Sequence, residues 1–451
     1  MAASTWEEKS YTVHNIMRTA DFIDLDAGTL SREIFSSEDI FRRELERVFL
    51  PAWNFVGHTS QLAQAGDFFL SRVGTEPVIV SRDQQGAIHV LLNSCRHRGM
   101  PACRYDVGNA KGFTCSYHGW SYGLDGALTG VPKFDDRYRG RLDREKWGLI
   151  RARVSIFYGS IWATFDDGAP SFEDYLGADM RFYLRSLLQG PDGGDDGYEV
   201  IGGIVKWQIP CNWKFGAENF AGDHYHGYSH ISVERLSIGL SGRTSRHNFA
   251  AVKIARQAMS VADPKRGHTI RASVYQALGP YDPQAGAPDE VNAYYRKCHE
   301  ERQRRLGDKA RLMIHGGVIF PNTHFNSAGR TTIGLWLPLA AGRTEVWRWL
   351  FVPRNAPNAV KETLREYYLR YAGPSGMVEQ DDMENWTAAQ RGTEGMVARK
   401  HPFNYQLAMG LARRSRPDEW LGDEVSITED VAEHNQRAFY AHWARLMATA
   451  P

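Results

Sequence analysis

Cys95-Arg96-His97 and, after seventeen intervening residues, Cys115-Ser116-Tyr117-His118 decide how the first third of this 451-residue chain must fold. Each short stretch offers one thiolate and one imidazole. Four donors supplied as two mixed Cys/His pairs suit a dinuclear iron–sulfur centre in which one iron takes both cysteines and the other both histidines. Both stretches must then reach both irons, so they form two loops held side by side at the tip of one scaffold. Zinc fingers group their donors as a Cys pair followed by a His pair, an order this stretch does not follow.

The flanking residues extend the pattern. Asn93-Ser94-Cys95-Arg96-His97-Arg98-Gly99 and Cys115-Ser116-Tyr117-His118-Gly119-Trp120-Ser121-Tyr122 resemble the two cluster loops of the Rieske motif, C-x-H-x17-C-x2-H, of ring-hydroxylating oxygenases. The resemblance implies a [2Fe-2S] cluster held by Cys95, His97, Cys115 and His118.

From Gly57 to Phe165 short apolar runs alternate with turn signals, as in Pro77-Val78-Ile79-Val80, Asp83-Gln84-Gln85-Gly86 and Ile88-His89-Val90-Leu91-Leu92. This predicts a small all-β domain whose last strand is 159–165. Ahead of it, Thr29 to Val48 carries apolar residues among charges, and Ser36-Ser37-Glu38-Asp39 reads as the start of an amphipathic helix. Beyond it, a helical pattern over 172–188 runs into Gly190-Pro191-Asp192-Gly193-Gly194-Asp195-Asp196-Gly197, which cannot hold regular structure. Strand-like runs at 205–209, 331–339 and 346–352 then alternate with helical stretches at 289–305, 359–371 and 431–447. The fold class is α+β, with a helical lead over 1–50, a β domain over 51–168 and a catalytic domain over 169–451.

The second concentration of chemistry runs from Asn212 to His230, where His224, His226 and His230 fall within seven residues. On a helix, His226 and His230 lie four apart and share one face. One carboxylate from a distant segment would complete a two-His-one-carboxylate set, which leaves open positions on a non-haem Fe(II) for dioxygen. Glu379, Asp381, Asp382 and Glu384, between Gly373 and Trp386, are the candidates. The plainer alternative is a group of core histidines whose nitrogens are satisfied by the backbone.

Glu218-Asn219-Phe220-x-Gly222-Asp223-x-Tyr225-His226 resembles the mononuclear-iron motif of aromatic-ring dioxygenase α subunits. That likeness implies His226 and His230 as iron ligands and Asp382, the second acid of its pair, as the carboxylate ligand in preference to Asp381. It implies Asn219 close to the iron, and Asp223 as the bridge in the electron path from His118 of a neighbouring subunit to His226. The family places four or more residues between its two histidines, whereas only Gly227, Tyr228 and Ser229 intervene here. Pairing His224 with His230 would restore the gap, but the Asp-x-Tyr-His match selects His226. By family position Phe220, Phe325 and Val378 line the substrate cavity, and an all-apolar lining favours aromatic hydrocarbons over aromatic acids.

The resemblance spans nearly the whole chain. It implies a helix-grip catalytic domain and a terminal oxygenase α subunit that uses dioxygen to convert an arene to a cis-dihydrodiol. Three such subunits would assemble, together with β subunits. No Gly-x-Gly-x-x-Gly fingerprint and no four-Cys ferredoxin pattern occurs, so NAD(P)H oxidation falls to a separate reductase, with a ferredoxin as electron donor. Arg96, Arg98, Arg104 and Lys111 are either its docking surface or solvated loop charges. Two other readings compete. One is a Rieske monooxygenase or demethylase acting on a substituted aromatic acid, which would need a cationic anchor in the pocket. The other is an electron-transfer protein whose C-terminal domain only binds a partner.

Composition narrows the remaining possibilities. With 54 basic and 53 acidic side chains the net charge is +1, so no global field attracts nucleic acid or an anionic membrane. The polar start with Glu7, Glu8 and Lys9 and the lack of a long apolar run fit a cytoplasmic protein. Five cysteines, two of them committed to the cluster, fit a reducing compartment. Cys103, Cys211 and Cys298 read as buried thiols, and packing is the simpler role for Cys103 than a fifth cluster ligand.

Overall fold

The cluster-bearing half is built from strands whose residues alternate between two cores. The computed structural model describes residues 22–448, apart from 192, 195–196, 232, 234–255, 282, 284–286, 328–329, 423 and 430. One four-stranded antiparallel sheet has the order Ile88–Leu92, Glu76–Arg82, Asp67–Val73, Val107–Asn109. Val78 and Val80 pack with Val56, Ile161 and Ala163, while Ile79 packs with Cys95, Cys115, Trp120 and Tyr122. That period of two is what a strand imposes. A second sheet joins Arg153–Phe157, Ser160–Thr164 and Asn54–His58, and a third joins Leu128–Gly130, Ser121–Tyr122 and Phe113–Thr114. The second cluster loop spans the two neighbouring strands Phe113–Thr114 and Ser121–Tyr122.

The N-terminal lead is less continuous than its pattern predicts. Ser37 caps the helix Glu38–Glu44 by accepting the Ile40 N–H at 3.3 Å, as its position implies. Before it, Thr29–Leu30 pairs as a strand with Phe403–Asn404, and Arg32–Phe35 is a separate 3-10 turn capped by Ser31. Two serines, each able to take a backbone N–H, divide one amphipathic run into two turns. After it, Leu45–Phe49 widens into a π-helical turn.

A nine-stranded antiparallel sheet organises the rest. Its order is Tyr198–Ile209, Arg343–Pro353, Thr331–Ala340, Thr323–Asn326, Leu312–Ile319, Thr269–Tyr275, Arg256–Ala262, Ser426–Glu429, Arg413–Arg414. Along Arg343–Pro353, Trp347, Trp349 and Phe351 join a core with the helix Phe172–Leu188 and with Phe55 and Trp162 of the β half. Val346, Leu350 and Val352 point the other way, toward the helices Trp213–Gly222, Asn358–Tyr371 and His434–Ala448. The mixed helix and antiparallel-sheet architecture is the expected α+β class.

Two buried ion pairs position the catalytic face. Arg348, 1% exposed, grips Glu379 through two N–H···O contacts of 2.5 and 3.2 Å and ties the helix Met377–Glu394 to the sheet. Removing one partner of such a pair strands a buried charge and costs about 3–5 kcal/mol. Lys214 pairs with Glu44 at 2.5 Å, and the Trp213 and Trp443 indole N–H groups complete the carboxylate's shell. That cluster pins the first helix, Trp213–Gly222 and the C-terminal helix together. Gly216 lets Trp213–Gly222 approach the sheet, since a Cβ built there would lie 2.5 Å from the Trp336 ring.

Candidate active site

The two cluster loops are copies of one turn. In the first, the Cys95 N–H donates to the Met100 carbonyl and the Gly99 N–H to the Cys95 carbonyl, both at 2.8 Å. In the second, the Cys115 N–H donates to the Trp120 carbonyl at 2.8 Å and the Gly119 N–H to the Cys115 carbonyl at 2.9 Å. Gly99 and Gly119 close the turns at φ of 75° and 74°, a conformation that a side chain would strain.

This geometry sets the two loops side by side, with both cysteines in one core and the two imidazole rings in contact. Both cysteines are buried, at 3% and 1% exposure, and the His97 and His118 rings lie 4.4 Å apart between centroids. His97 stacks on Trp120 at 5.0 Å, and its Nδ1 is buried with no hydrogen-bond partner. An orphaned buried nitrogen beside two buried thiols is what a metal-ligating loop leaves when its ion is subtracted. Burial, with His118 and Arg98 adding, holds the His97 imidazole below its ordinary pKa, in the neutral form that can bind metal. The Tyr122 hydroxyl lies 3.2 Å from Cys95 Sγ and accepts the Arg96 N–H at 3.1 Å.

Cys103 is buried between the loops with its N–H on Asn93 Oδ1 at 2.9 Å, a packing role. Burial pushes the Cys211 thiol up to about 12. Cys298 is only partly buried, a correction to the reading of three buried thiols. It lies on the charged helix Asp289–Leu306, which buries only Val291.

The second donor set forms where Trp213–Gly222 ends. Asp223 terminates that helix, and its Oδ1 accepts the N–H groups of Tyr225 and His226, both at 3.0 Å. The chain then enters the 3-10 turn Tyr225–His230. His226 and His230 still share a face, with 3.1 Å between their Nε2 atoms. Asp382 Oδ1 lies 3.6 Å from the first Nε2 and 3.4 Å from the second. Among the described residues these three side chains are the group able to hold one ion, with ligand atoms all within 4.8 Å of one another.

The far side of each imidazole is also held. His226 Nδ1 bonds the Asp223 carbonyl, and His230 Nδ1 lies 3.3 Å from Asp381 Oδ2. Such bonds fix the tautomer that presents Nε2 to a metal. Burial, with Glu379 next, raises the Asp382 carboxyl well above its ordinary value, and burial lowers the His226 imidazole. A divalent cation among the three would favour carboxylate and neutral imidazoles, so the donors fit a 2-His-1-carboxylate iron. Asp382 is 6% exposed against 28% for Asp381, because Asp382 lies on the inner stripe of Met377–Glu394 with Glu379 and Trp386.

A cavity of about 290 Å³ opens beside this site, lined by Glu218, Asn219, Asp223, His226, Asp382 and Tyr405 among others. Asn219 is 7% exposed. Burial pushes the Glu218 carboxyl up to about 8, while its Oε2 accepts the hydroxyls of Tyr405 at 2.7 Å and Tyr440 at 2.5 Å.

The expected substrate wall is partly redrawn. Phe220 packs against His324 at 4.3 Å and Trp336 at 5.5 Å, and Val378 is half-buried. Phe325 is 1% exposed and points into the opposite core with Ile333 and Trp349, because strand alternation turns it away from its neighbour His324. Facing the catalytic side instead are two side chains without a motif, Arg271 and Arg330. Both are deep in the protein, and both keep partial solvent access.

Comparison with known proteins fits both donor sets. Residues 52–143 match the family described as Rieske [2Fe-2S] domain, and residues 192–449 match Ring hydroxylating alpha subunit (catalytic domain). The chain belongs to the ring-hydroxylating α-subunit family. Biphenyl 2,3-dioxygenase subunit alpha of Rhodococcus jostii (strain RHA1) is 37% identical over 95% of this chain and 91% of its own. Benzene 1,2-dioxygenase subunit alpha of Pseudomonas putida is 36% identical over 94% and 92%. The structure of naphthalene 1,2-dioxygenase from Rhodococcus sp. bound to indole superposes with a TM-score of 0.80 at 32% identity, covering 95% of this chain and 98% of that one. This α subunit is therefore that of a Rieske non-haem iron ring-hydroxylating dioxygenase, with a [2Fe-2S] cluster and a mononuclear iron as cofactors and dioxygen as co-substrate.

Proposed function

We propose that the protein adds both atoms of dioxygen to adjacent carbons of an aromatic ring, giving a cis-dihydrodiol. The convergence of His226, His230 and Asp382 in a chain that also carries the paired Cys/His loops supports this reading above all. Relatives named for biphenyl and benzene, matched along nearly their whole length, support an arene substrate. The balance is arene plus O2 plus two electrons plus two protons.

When bound, the cluster supplies electrons singly and the ferrous ion supplies dioxygen activation. Cys95, His97, Cys115 and His118 would hold the first, and His226, His230 and Asp382 the second. Asp223 fixes the backbone at His226 through two accepted N–H bonds and holds its imidazole through the carbonyl, which suits a bridge between the two centres. Asn219 lies beside the site, and Phe220, next to it on the helix, packs behind it on His324 and Trp336. In this reading three α subunits assemble, with β subunits, so that one chain's cluster sits beside its neighbour's iron. A ferredoxin and a reductase deliver the electrons, the enzyme works in the cytoplasm, and the domains divide at 50/51 and 168/169.

Iron content and isotope labelling test this together. About three irons per chain are expected, falling to about two when His226 is replaced by Ala while the cluster spectrum persists. Turnover under labelled dioxygen places two labelled atoms on the ring. One labelled atom would make the enzyme a monooxygenase, and an iron count indifferent to His226 would remove the catalytic reading.

A further inference from the structure

A cationic groove adjoins the loop that carries His97. Its volume is about 560 Å³, and Arg96, Arg144, Lys146 and Arg151 line it against a single acid, Glu145. Arg144, Lys146 and Arg151 are exposed. Asp143 pairs with Lys146 at 3.2 Å and Asp125 with Arg151 at 2.8 Å. Among the described residues Arg96 and Arg144 make no ion pair and rest on rings instead, 5.4 Å from the Trp147 centroid and 3.9 Å from that of Phe134. The other cations near the cluster do not share this surface as a group, since Arg104 lines a separate groove with Tyr105 and Val107.

A line of rings leads from the groove to a cluster ligand. Trp147, 38% exposed, lies between the lining residues Lys146 and Gly148, and its ring stands edge-on to Trp120 with 6.2 Å between centroids. Trp120 is 3% exposed and stacks on His97 at 5.0 Å with 4° between the planes. Arg96 holds the rim in place, because its Nη1 donates to the Gly148 carbonyl at 3.0 Å. The Leu149 N–H donates to the Gly126 carbonyl at 2.8 Å, so the 3-10 turn Arg144–Trp147 is fastened at its end to both the His97 loop and the β domain. Ile150, 45% exposed, extends the apolar surface along the chain.

We propose that an acidic one-electron donor protein docks on this groove and that its electron enters at Trp147 and passes by Trp120 to the cluster at His97. One electron leaves the reduced donor and reduces the oxidised cluster, and no bond is made or broken. The sign of the charge selects the partner: the cations attract an acidic surface and repel a basic one, while the exposed tryptophan gives the complex its apolar centre. Electron-transfer encounters use small interfaces steered by complementary charge. The inference rests on reading Cys95, His97, Cys115 and His118 as a [2Fe-2S] site. It separates entry at His97 from exit, which that reading runs from His118 to a neighbouring subunit.

The probe is an acidic plant-type [2Fe-2S] ferredoxin, whose potential lies well below that of a Rieske centre. Calorimetry at low salt measures its binding to the holoprotein with both partners oxidised. Anaerobic stopped flow follows the bleaching of the Rieske absorbance, with reduced methyl viologen as the small-molecule control. Arg144→Glu combined with Lys146→Glu should weaken binding and slow second-order reduction by about tenfold or more at low ionic strength, and high salt should close the gap. Trp147→Leu should lower the limiting transfer rate at saturating ferredoxin at every salt, and Trp147→Phe should restore most of it. The Rieske spectrum and reduction by viologen should survive in all three. Ferredoxin binding and reduction indifferent to the double reversal would overturn the proposal, as would a Trp147→Leu protein that accepts electrons as fast as the parent. A reversal that changed only the sedimentation of the assembly would give the groove to a second copy of this chain and overturn it too. In protein without the Rieske spectrum, ferredoxin binding that still responds to the reversal would uphold the docking surface while refuting the cluster reading.

Discussion

Replacing Glu218 with Gln should change how the stability of this protein depends on pH. Glu218 lies midway along the helix that leads to Asp223, deep on the cavity wall, and burial dominates its environment. Asp223 and Glu433 add like charge, and the two tyrosine hydroxyls only partly oppose them, so the carboxyl rises from 4.5 to about 8. The native state therefore keeps a proton that the unfolded chain gives up above 4.5. Its stabilising contribution is complete below that value and is lost as pH climbs to about 8, a total of about 5 kcal/mol at about 1.4 kcal/mol per pH unit. Both tyrosines donate to the same oxygen, Oε2, so a glutamine can present its carbonyl to both and pack much as the neutral acid does. Urea midpoints of parent and variant, followed by tryptophan fluorescence at pH 5.5 and 7.5, give the difference. The variant should gain about 3 kcal/mol on the parent over that interval. A difference constant to within about 1 kcal/mol would mean that the tyrosine pair holds Glu218 ionised, and the argument from burial would fail.

Other perturbations separate the roles assigned above. Glu379→Gln leaves Arg348 buried without its partner and should cost about 3–5 kcal/mol in chemical denaturation. The more informative readout is the mononuclear iron, which should bind less tightly because the same helix carries Asp382. Asp382→Asn should abolish that iron, whereas Asp381→Asn should weaken it by about 10–100-fold by releasing the His230 ring; metal analysis after dialysis distinguishes the two. Gly119→Ala forces a Cβ to 2.9 Å from Pro132 at a φ of 74°. It should reduce the cluster's visible absorbance per chain while leaving the His226 iron in place.

Legibility in the sequence followed the range of the interactions. The cluster loops were readable because donors, glycines and aromatic flanks sit within a few residues of each other, and each turn closes on its own backbone. The helical stretches near 289–305, 359–371 and 431–447 appear as Asp289–Leu306, Asn358–Tyr371 and His434–Ala448, the last two because each buries a periodic stripe and the first as a charged helix that buries only Val291. Met377–Glu394 was seen only as a group of acids, because its buried stripe is Glu379, Asp382, Trp386 and Gln390 and carries little apolar signal. Arg271 and Arg330 had no local signal either. A cation becomes informative only when its partners are known, and those partners are set by strand register across the sheet. Phe325 shows the same limit, since the face it takes depends on the parity of a four-residue strand.

The helix that carries Asp382 reaches the sheet one turn earlier through Glu379. Sheet anchor and metal donor are consequently rungs on one rigid rod, and the strand Arg343–Pro353 that grips the lower rung also packs through Trp349 against Phe55 of the β half. A displacement of that strand would rotate the carboxylate relative to the two imidazoles without touching either of them. The lever gives contacts made far from the iron a mechanical route to its coordination sphere.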